Sequence, residues 1–482
     1  MTNIKTWIKE NSKYLFIVFA FLVFLSTFTS LDQDLYWHIK NGESLLEHGI
    51  SNKDYFSYWG GNYIAHEWLY DIFLFFLNQI DGLRLIKLVS FILIGSSLFM
   101  SIKIAENKNK NNLGVYIIPI IIWATARILL EARPQIISLF FFCLTFYVLE
   151  TKKSLWWLPI ISLLTVNFHG SIASLIFAVP IIYFISYIFD EEVIDIKYLK
   201  KLGLMIVLMG ISLGLTPFGF NSVTYGLSLP KWILDTIAEW QVIIKSSKDI
   251  WLLFLLLVPL ASMAYTRKAK LKEVLFISMM LMLTFIHLRS ALLLVPVYIM
   301  FASSHINETL KSVFERINLP KINLKIRLDV NIFLVVMIAI FVFNVFNINF
   351  ENIEKTSKSS PVIITNYIEE NNIDVKNNIM FNNYGYGGYF IYHNYPVFID
   401  GRTDVYLAEY GNEPIYNDYY DMWQAKNNTK DLISKYNIKY WSISPNENLY
   451  KYLLENEIAT VLVEDNNFAF LETVEKEDLT ND

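Results

Sequence analysis

Hydrophobic runs recur along this chain until about residue 350, and that recurrence narrows the folds open to it. The runs lie at residues 14–30, 85–104, 113–130, 136–149, 155–168, 172–189, 202–215, 250–265, 274–286, 291–302 and 332–346. A helix that crosses a bilayer at right angles needs about 20 apolar residues, so the shorter runs have soft boundaries. Of the 482 residues, 54% are hydrophobic and only 18% charged, too apolar a balance for a soluble globular protein. The expectation is a polytopic α-helical membrane protein with about eleven transmembrane helices. The net charge of −5 is mild, and nothing points to nucleic acid. Cys143 is the one cysteine, which excludes an intrachain disulfide and a zinc site built from several thiolates.

Lysine and arginine in short loops set the orientation. Lys5, Lys9 and Lys13 precede the first run and place the N-terminus in the cytoplasm, with the first helix retained rather than cleaved. Lys108 with Lys110, Lys152 with Lys153, and Lys197 with Lys200 and Lys201 mark further inner loops. So do Arg267, Lys268, Lys270 and Lys272, and the basic connection from Lys311 to Arg327. The other loops then lie outside, among them those carrying Glu131, Arg133, Pro134 and Gln135, then His169, then Glu239 to Gln241, then His287 and Arg289. Residues 67–80 are hydrophobic, but a full crossing there would invert everything after it. They are read as a short interfacial or re-entrant helix that passes into the next span at Asp81-Gly82.

The first outer loop, residues 31–68, is dense in chemistry. It holds Asp32, Asp34, His38, Glu43, Glu47, His48, Asp54, His66 and Glu67, with only Lys40 and Lys53 as cations. On a helix Asp34 and His38 share one face. Asp32 and Asp34 have two functional readings beside the plain one of solvating a helix end. One acts as general base toward an acceptor hydroxyl, or the two hold a divalent cation, which favours oxygen ligands. His66 and Glu67 either cap a hydrophobic segment at the interface or close the site from its other side. They do not form the HExxH of a zinc protease. Arg133 precedes a proline that favours a break, and its planar guanidinium suits a phosphate. The same chemistry recurs at His287 and Arg289, ionisable groups at a membrane edge. The alternatives are pairing of Arg127 and Arg133 with Glu131 at the membrane edge, and basic side chains reaching lipid headgroups.

After residue 350 the composition turns to Asn, Tyr, Asp and Glu. Helices are expected at 362–370, 413–425, 429–436 and 449–455, and strands at 379–382, 397–400 and 439–444. A hairpin of 461–464 with 468–472 across Asp465-Asn466-Asn467 completes a small α/β domain, 351–482, after a membrane domain of 1–350. The glycine-rich stretch Asn383–Tyr389 lacks the spacing of a nucleotide site. Asp400-Gly401-Arg402 reads either as a structural turn or as a surface that meets the membrane site.

Acids in the first outer loop, an Arg-Pro after the next spans and a soluble outer domain together resemble the GT-C integral membrane glycosyltransferases. Protein mannosyltransferases and lipid A aminoarabinose transferases belong to that superfamily. The motifs Asp34-Leu-Tyr-Trp37-His38, Gly42-Glu43, His66-Glu67-Trp68-Leu69 and Phe398-Ile-Asp400-Gly401-Arg402 are most similar to those of little-characterised bacterial and archaeal members. The resemblance implies transfer of a sugar from a polyprenyl-phosphate carrier to a glycan, lipid or protein acceptor at the outer membrane face. It implies Asp34 as base or metal ligand, with Asp32 second, and Arg133 and Arg289 on the donor phosphate. His38, His66, Glu67, His287 and Arg402 would then contact substrate. A divalent cation is the one cofactor it brings into question. The adjacent acid pair usual in the family is interrupted here by Gln33. A protein that handles a polysaccharide or lipid carrier without catalysis, as a polymerase partner or transporter, is the alternative.

Overall fold

The computed structural model describes residues 4–28, 30, 32–108, 116–125, 127–151, 153–224, 250–316 and 330–474. Glu239 to Gln241, Lys110 and most of the basic connection after Arg316 lie outside them, as does the side chain of Arg127. The chain divides into two compact units, Met1–Thr29 with Arg84–Ile348, and Ser30–Leu83 with Asn349–Asp482. The first outer loop therefore falls in one unit with the C-terminal region.

The first unit is helical. Ile4–Ser26 packs against Val330–Phe346, with Phe16 on Phe333, Phe19 on Phe341, and Asn344 Nδ2 donating to Ser26 Oγ at 2.9 Å. Pro134–Glu150, Trp157–Phe168, Gly170–Asp190, Ile196–Ser212 and Leu271–Ile286 form a connected group. Its core is aromatic: Phe146 meets Phe142 and Phe276 edge-on, and Phe276 stacks on Phe301 at 5.5 Å. Asp190 accepts from the Leu271 N–H at 2.8 Å and so helps cap the helix Leu271–Ile286. The expected run at 291–302 is helical but changes pitch. After Pro296, residues Tyr298–Ala302 form a π-turn before Ser303–Arg316.

The count of about eleven crossings is not reached. Among the described residues three helices are long and apolar enough to cross a membrane: Trp68–Asn107, Gly170–Asp190 and Leu288–Arg316. A fourth follows if Asn331–Phe346 and Phe350–Thr356 are one broken span, and three more apolar helices are shorter. The break expected at Asp81-Gly82 is present inside Trp68–Lys108. Asp81 has φ −147° and ψ 30°, and Gly82 φ 58° and ψ −151°, a region open essentially to glycine alone.

The second unit is built on a four-stranded sheet, β1 Met380–Asn382, β2 Tyr440–Ile443, β3 Ala459–Glu464 and β4 Ala469–Thr473, in the order β1-β2-β4-β3. β1 and β2 run parallel, and the other pairs are antiparallel. Asp465 Oδ1 closes the β3–β4 turn by accepting from the N–H groups of Asn467 and Phe468, both at 2.8 Å. Trp441, Phe381, Phe398, Tyr419 and Phe470 are buried around the sheet. Helices form at Val362–Glu370, Ile415–Trp423, Thr429–Tyr436 and Asn448–Glu455, close to their expected places. Residues 397–400 join no strand. The Asn382 side chain takes the ladder's role, accepting from Phe398 N–H at 2.8 Å and donating to the Ile399 carbonyl at 2.8 Å. Val397 makes a single parallel bridge to Ser57 of the first loop. A further short helix, Gly387–Tyr392, forms in the glycine-rich stretch and packs on Gln33–His48.

Candidate functional site

Asp32 starts the helix Gln33–His48. It is extended, at φ −79° and ψ 137°, and its carboxylate accepts from the Asp34 N–H at 2.8 Å. That is an N-cap, and it satisfies one of the donors a helix start leaves open. Asp34 lies in the first turn, where a negative charge is favoured by the helix dipole. The indole Nε1–H of Trp37 donates to Asp34 Oδ1 at 3.1 Å.

The next residues of this face lead inward. The Trp37 and His38 rings stack at 3.7 Å, and Tyr70 meets His38 edge-on. His38 Nδ1 lies 2.5 Å from Asp71 Oδ1, while Asn41 donates to Asp71 Oδ2 at 2.6 Å. Glu67 Oε2 is 3.8 Å from His38 Nε2, and His66 Nε2 is 3.8 Å from Glu67 Oε1. Burial alone would lower the His38 pKa. Asp71 first, by charge and hydrogen bond, and then Glu67 and Asp34 outweigh it, so the imidazole is held above its ordinary value. Gly42 makes this close packing possible, since a Cβ there would overlap the Asp71 carbonyl and come 2.9 Å from Phe75 Cβ.

Arg402 is almost wholly buried. Its guanidinium bonds to Asp400 through Nε at 2.9 Å and Nη2 at 2.6 Å, and to Asp54 through Nη1 at 2.7 Å. Tyr406 donates to the same Asp400 carboxylate, and the Phe56 and Tyr63 rings lie 5.0 and 5.1 Å from the guanidinium. The Asp400-Gly401-Arg402 turn is thereby tied to the first loop.

In the helical unit, Arg133 is extended at φ −124° and ψ 164°, as the residue before a proline must be, and opens Pro134–Glu150. Its N–H donates to the Glu131 carbonyl at 2.8 Å. His287 ends Leu271–Ile286, and Arg289 sits in the short turn that follows. The Gln135 amide faces the Arg289 guanidinium, with its oxygen 3.0 Å from Nε once oriented to accept. The segments that bear Arg133 and Arg289 are thus brought together. His169 is held by Ser138 at 2.7 Å and Ser171 at 2.9 Å.

Two residues were not singled out from the sequence. Asp71 carried a signal, an acid inside an apolar run, which is a functional candidate by default. Gln135 carried none, because only tertiary packing sets it on Arg289. Among the described residues no three His, Cys, Asp or Glu side chains gather as a metal site, and the Asp32 carboxylate is engaged as a cap.

No protein-family model matches the chain, and no curated protein matches it. Its structure is similar to the crystal structure of the Archaeoglobus fulgidus oligosaccharyltransferase in the apo form. The TM-score is 0.53 at 12% identity, over 91% of this chain and 70% of that one. At that identity the likeness shows the fold alone. The shared fold is mostly helical with a small C-terminal sheet. With apolar helices of spanning length, the chain is a membrane protein.

Proposed function

We propose that the protein is a membrane glycosyltransferase that moves a sugar from a polyprenyl-phosphate carrier to an acceptor hydroxyl at the outer face of the cell membrane. Asp34 takes the proton of the acceptor hydroxyl as its oxygen bonds to the anomeric carbon. The bond from that carbon to the phosphate oxygen breaks, and polyprenyl phosphate leaves with the electron pair. Arg133 and Arg289 are the candidate groups for the leaving phosphate, where negative charge develops. His66, Glu67 and His287 are candidate substrate contacts. His38, set between Trp37 and Asp71, orients the face that carries Asp34. Arg402 serves by holding the turn beside it.

One observation supports this reading: a chain with a fold similar to that of an oligosaccharyltransferase holds Asp34 at a helix start, its backbone N–H capped by Asp32 and its carboxylate accepting from the Trp37 indole. The test is Asp34→Asn, assayed with a panel of radiolabelled polyprenyl-phosphate sugars. General-base catalysis contributes about a hundred- to ten-thousand-fold, and the variant is expected to lose transfer by that factor at unchanged yield. Full transfer by both Asp34→Asn and Asp32→Asn would remove both acids from catalysis and move the base to Glu67, whereas no transfer by the wild type from any of these donors would leave the non-catalytic carrier-handling reading.

A further inference from the structure

The glycine-rich stretch and the Asp400-Gly401-Arg402 turn find a common use around Asp34. A Cβ on Gly401 would overlap Asp34 Oδ1 and lie 3.3 Å from Trp37 Nε1. The main chain of Gly401 therefore lies directly on the carboxylate and on the indole that bonds it. The turn is held on both sides. On one side Arg402 is locked by Asp54 and Asp400. On the other, Tyr384 Oη donates to the Gly401 carbonyl at 3.3 Å and pairs with Thr403 Oγ1 at 2.9 Å. Tyr384 itself is set by the glycine-rich segment, whose Gly388 comes so close to Gln33 that a Cβ would overlap its carbonyl oxygen.

We propose that Gly401 is a positioning residue for the transfer reaction, its bare main chain forming with Trp37 the seat that fixes the Asp34 carboxylate, and that Tyr384 holds that seat in place. The inference rests on the proposed glycosyltransferase reading. It makes the C-terminal region part of the base's support. Any side chain at residue 401 must push the carboxylate away, and a misplacement of about 1 Å costs on the order of a hundredfold in rate.

The experiment measures kcat and KM for Gly401→Ala, Tyr384→Phe and Asp34→Asn, and for each of the first two combined with the third. The substrates are radiolabelled polyprenyl-phosphate glucose, mannose, galactose and arabinose. Gly401→Ala should lower kcat about a hundredfold with KM unchanged, and Tyr384→Phe several-fold. Both losses should vanish in the Asp34→Asn background, because a seat has no effect once its occupant cannot act. Normal transfer by Gly401→Ala beside an inactive Asp34→Asn would overturn the inference and leave the reading intact. So would losses that multiply with that of Asp34→Asn. If Gly401→Ala does not accumulate, Tyr384→Phe, which adds no atom, decides by the same criterion. Full activity in Asp34→Asn itself would instead overturn the assignment of Asp34 as base in the proposed reaction, on which the inference rests.

Discussion

At the scale of single residues, the two acids at the start of the first loop are separated by what they touch. Asp32 spends its carboxylate on the helix start, and Asp34 holds its own against Trp37. The roles separate by substitution. Asp32→Ala should cost about 1 kcal/mol of stability, read from thermal unfolding in detergent, because the N-cap is lost. Asp32→Asn should be near neutral in stability and transfer, since asparagine caps as well as aspartate. A loss of transfer in Asp32→Asn as deep as in Asp34→Asn would mean that the pair shares a cation after all. The i, i+4 relation of Asp34 and His38 was legible from spacing. The partner that makes His38 part of a buried network, Asp71, comes from another helix and was not.

At the scale of elements, the unit that contains the first loop depends on a buried charge cluster. Two carboxylates, Asp54 and Asp400, face one guanidinium away from water. Removing one member of such a cluster leaves charge that nothing balances, typically at a cost of about 3–5 kcal/mol. Arg402→Met is expected to lower stability by at least that amount in denaturant unfolding, and an unchanged midpoint would show the cluster to be dispensable. The pH dependence has a definite sign. Burial would raise the Asp54 pKa, but Arg402 outweighs it with help from Ser57 and the Phe56 N–H, and the folded value is lowered. The stabilisation is therefore complete above the ordinary carboxylate pKa of about 4 and is lost as pH falls through the lower folded value. Asp54→Asn should flatten that acid limb. The helices and the β3–β4 hairpin were legible as elements because each follows from local periodicity and turn chemistry. The strand expected at 397–400 does not form, because a side chain, Asn382, supplies the bonds that a neighbouring strand would have supplied.

At the scale of the whole molecule, the inner basic loops predict that residues 351–482 lie outside the cytoplasm. A reporter fused after Asp482 is expected to work only if it is one that folds outside, such as a periplasm-active phosphatase. Activity of a cytoplasm-only reporter at that position would reverse the orientation and remove the proposed site from the outer face. The crossing count belongs to this scale too. Hydropathy finds apolar runs, but it cannot say which become one long helix, which bend and which stay short.

Composition and the recurrence of apolar runs by themselves determined that this is a membrane protein with a polar C-terminal α/β region, because burial in lipid or in a protein core is paid in local sequence. They also marked Asp34, since an acid beside an apolar segment stands out without reference to anything distant. Only the tertiary structure decided that residues 30–83 form one compact unit with 349–482, and that Gly401 lies on Asp34 while Arg402 is locked rather than open. Those facts rest on packing between residues more than three hundred positions apart. The absence of a side chain, as at Gly401, acquires its meaning only from the atom that occupies its place.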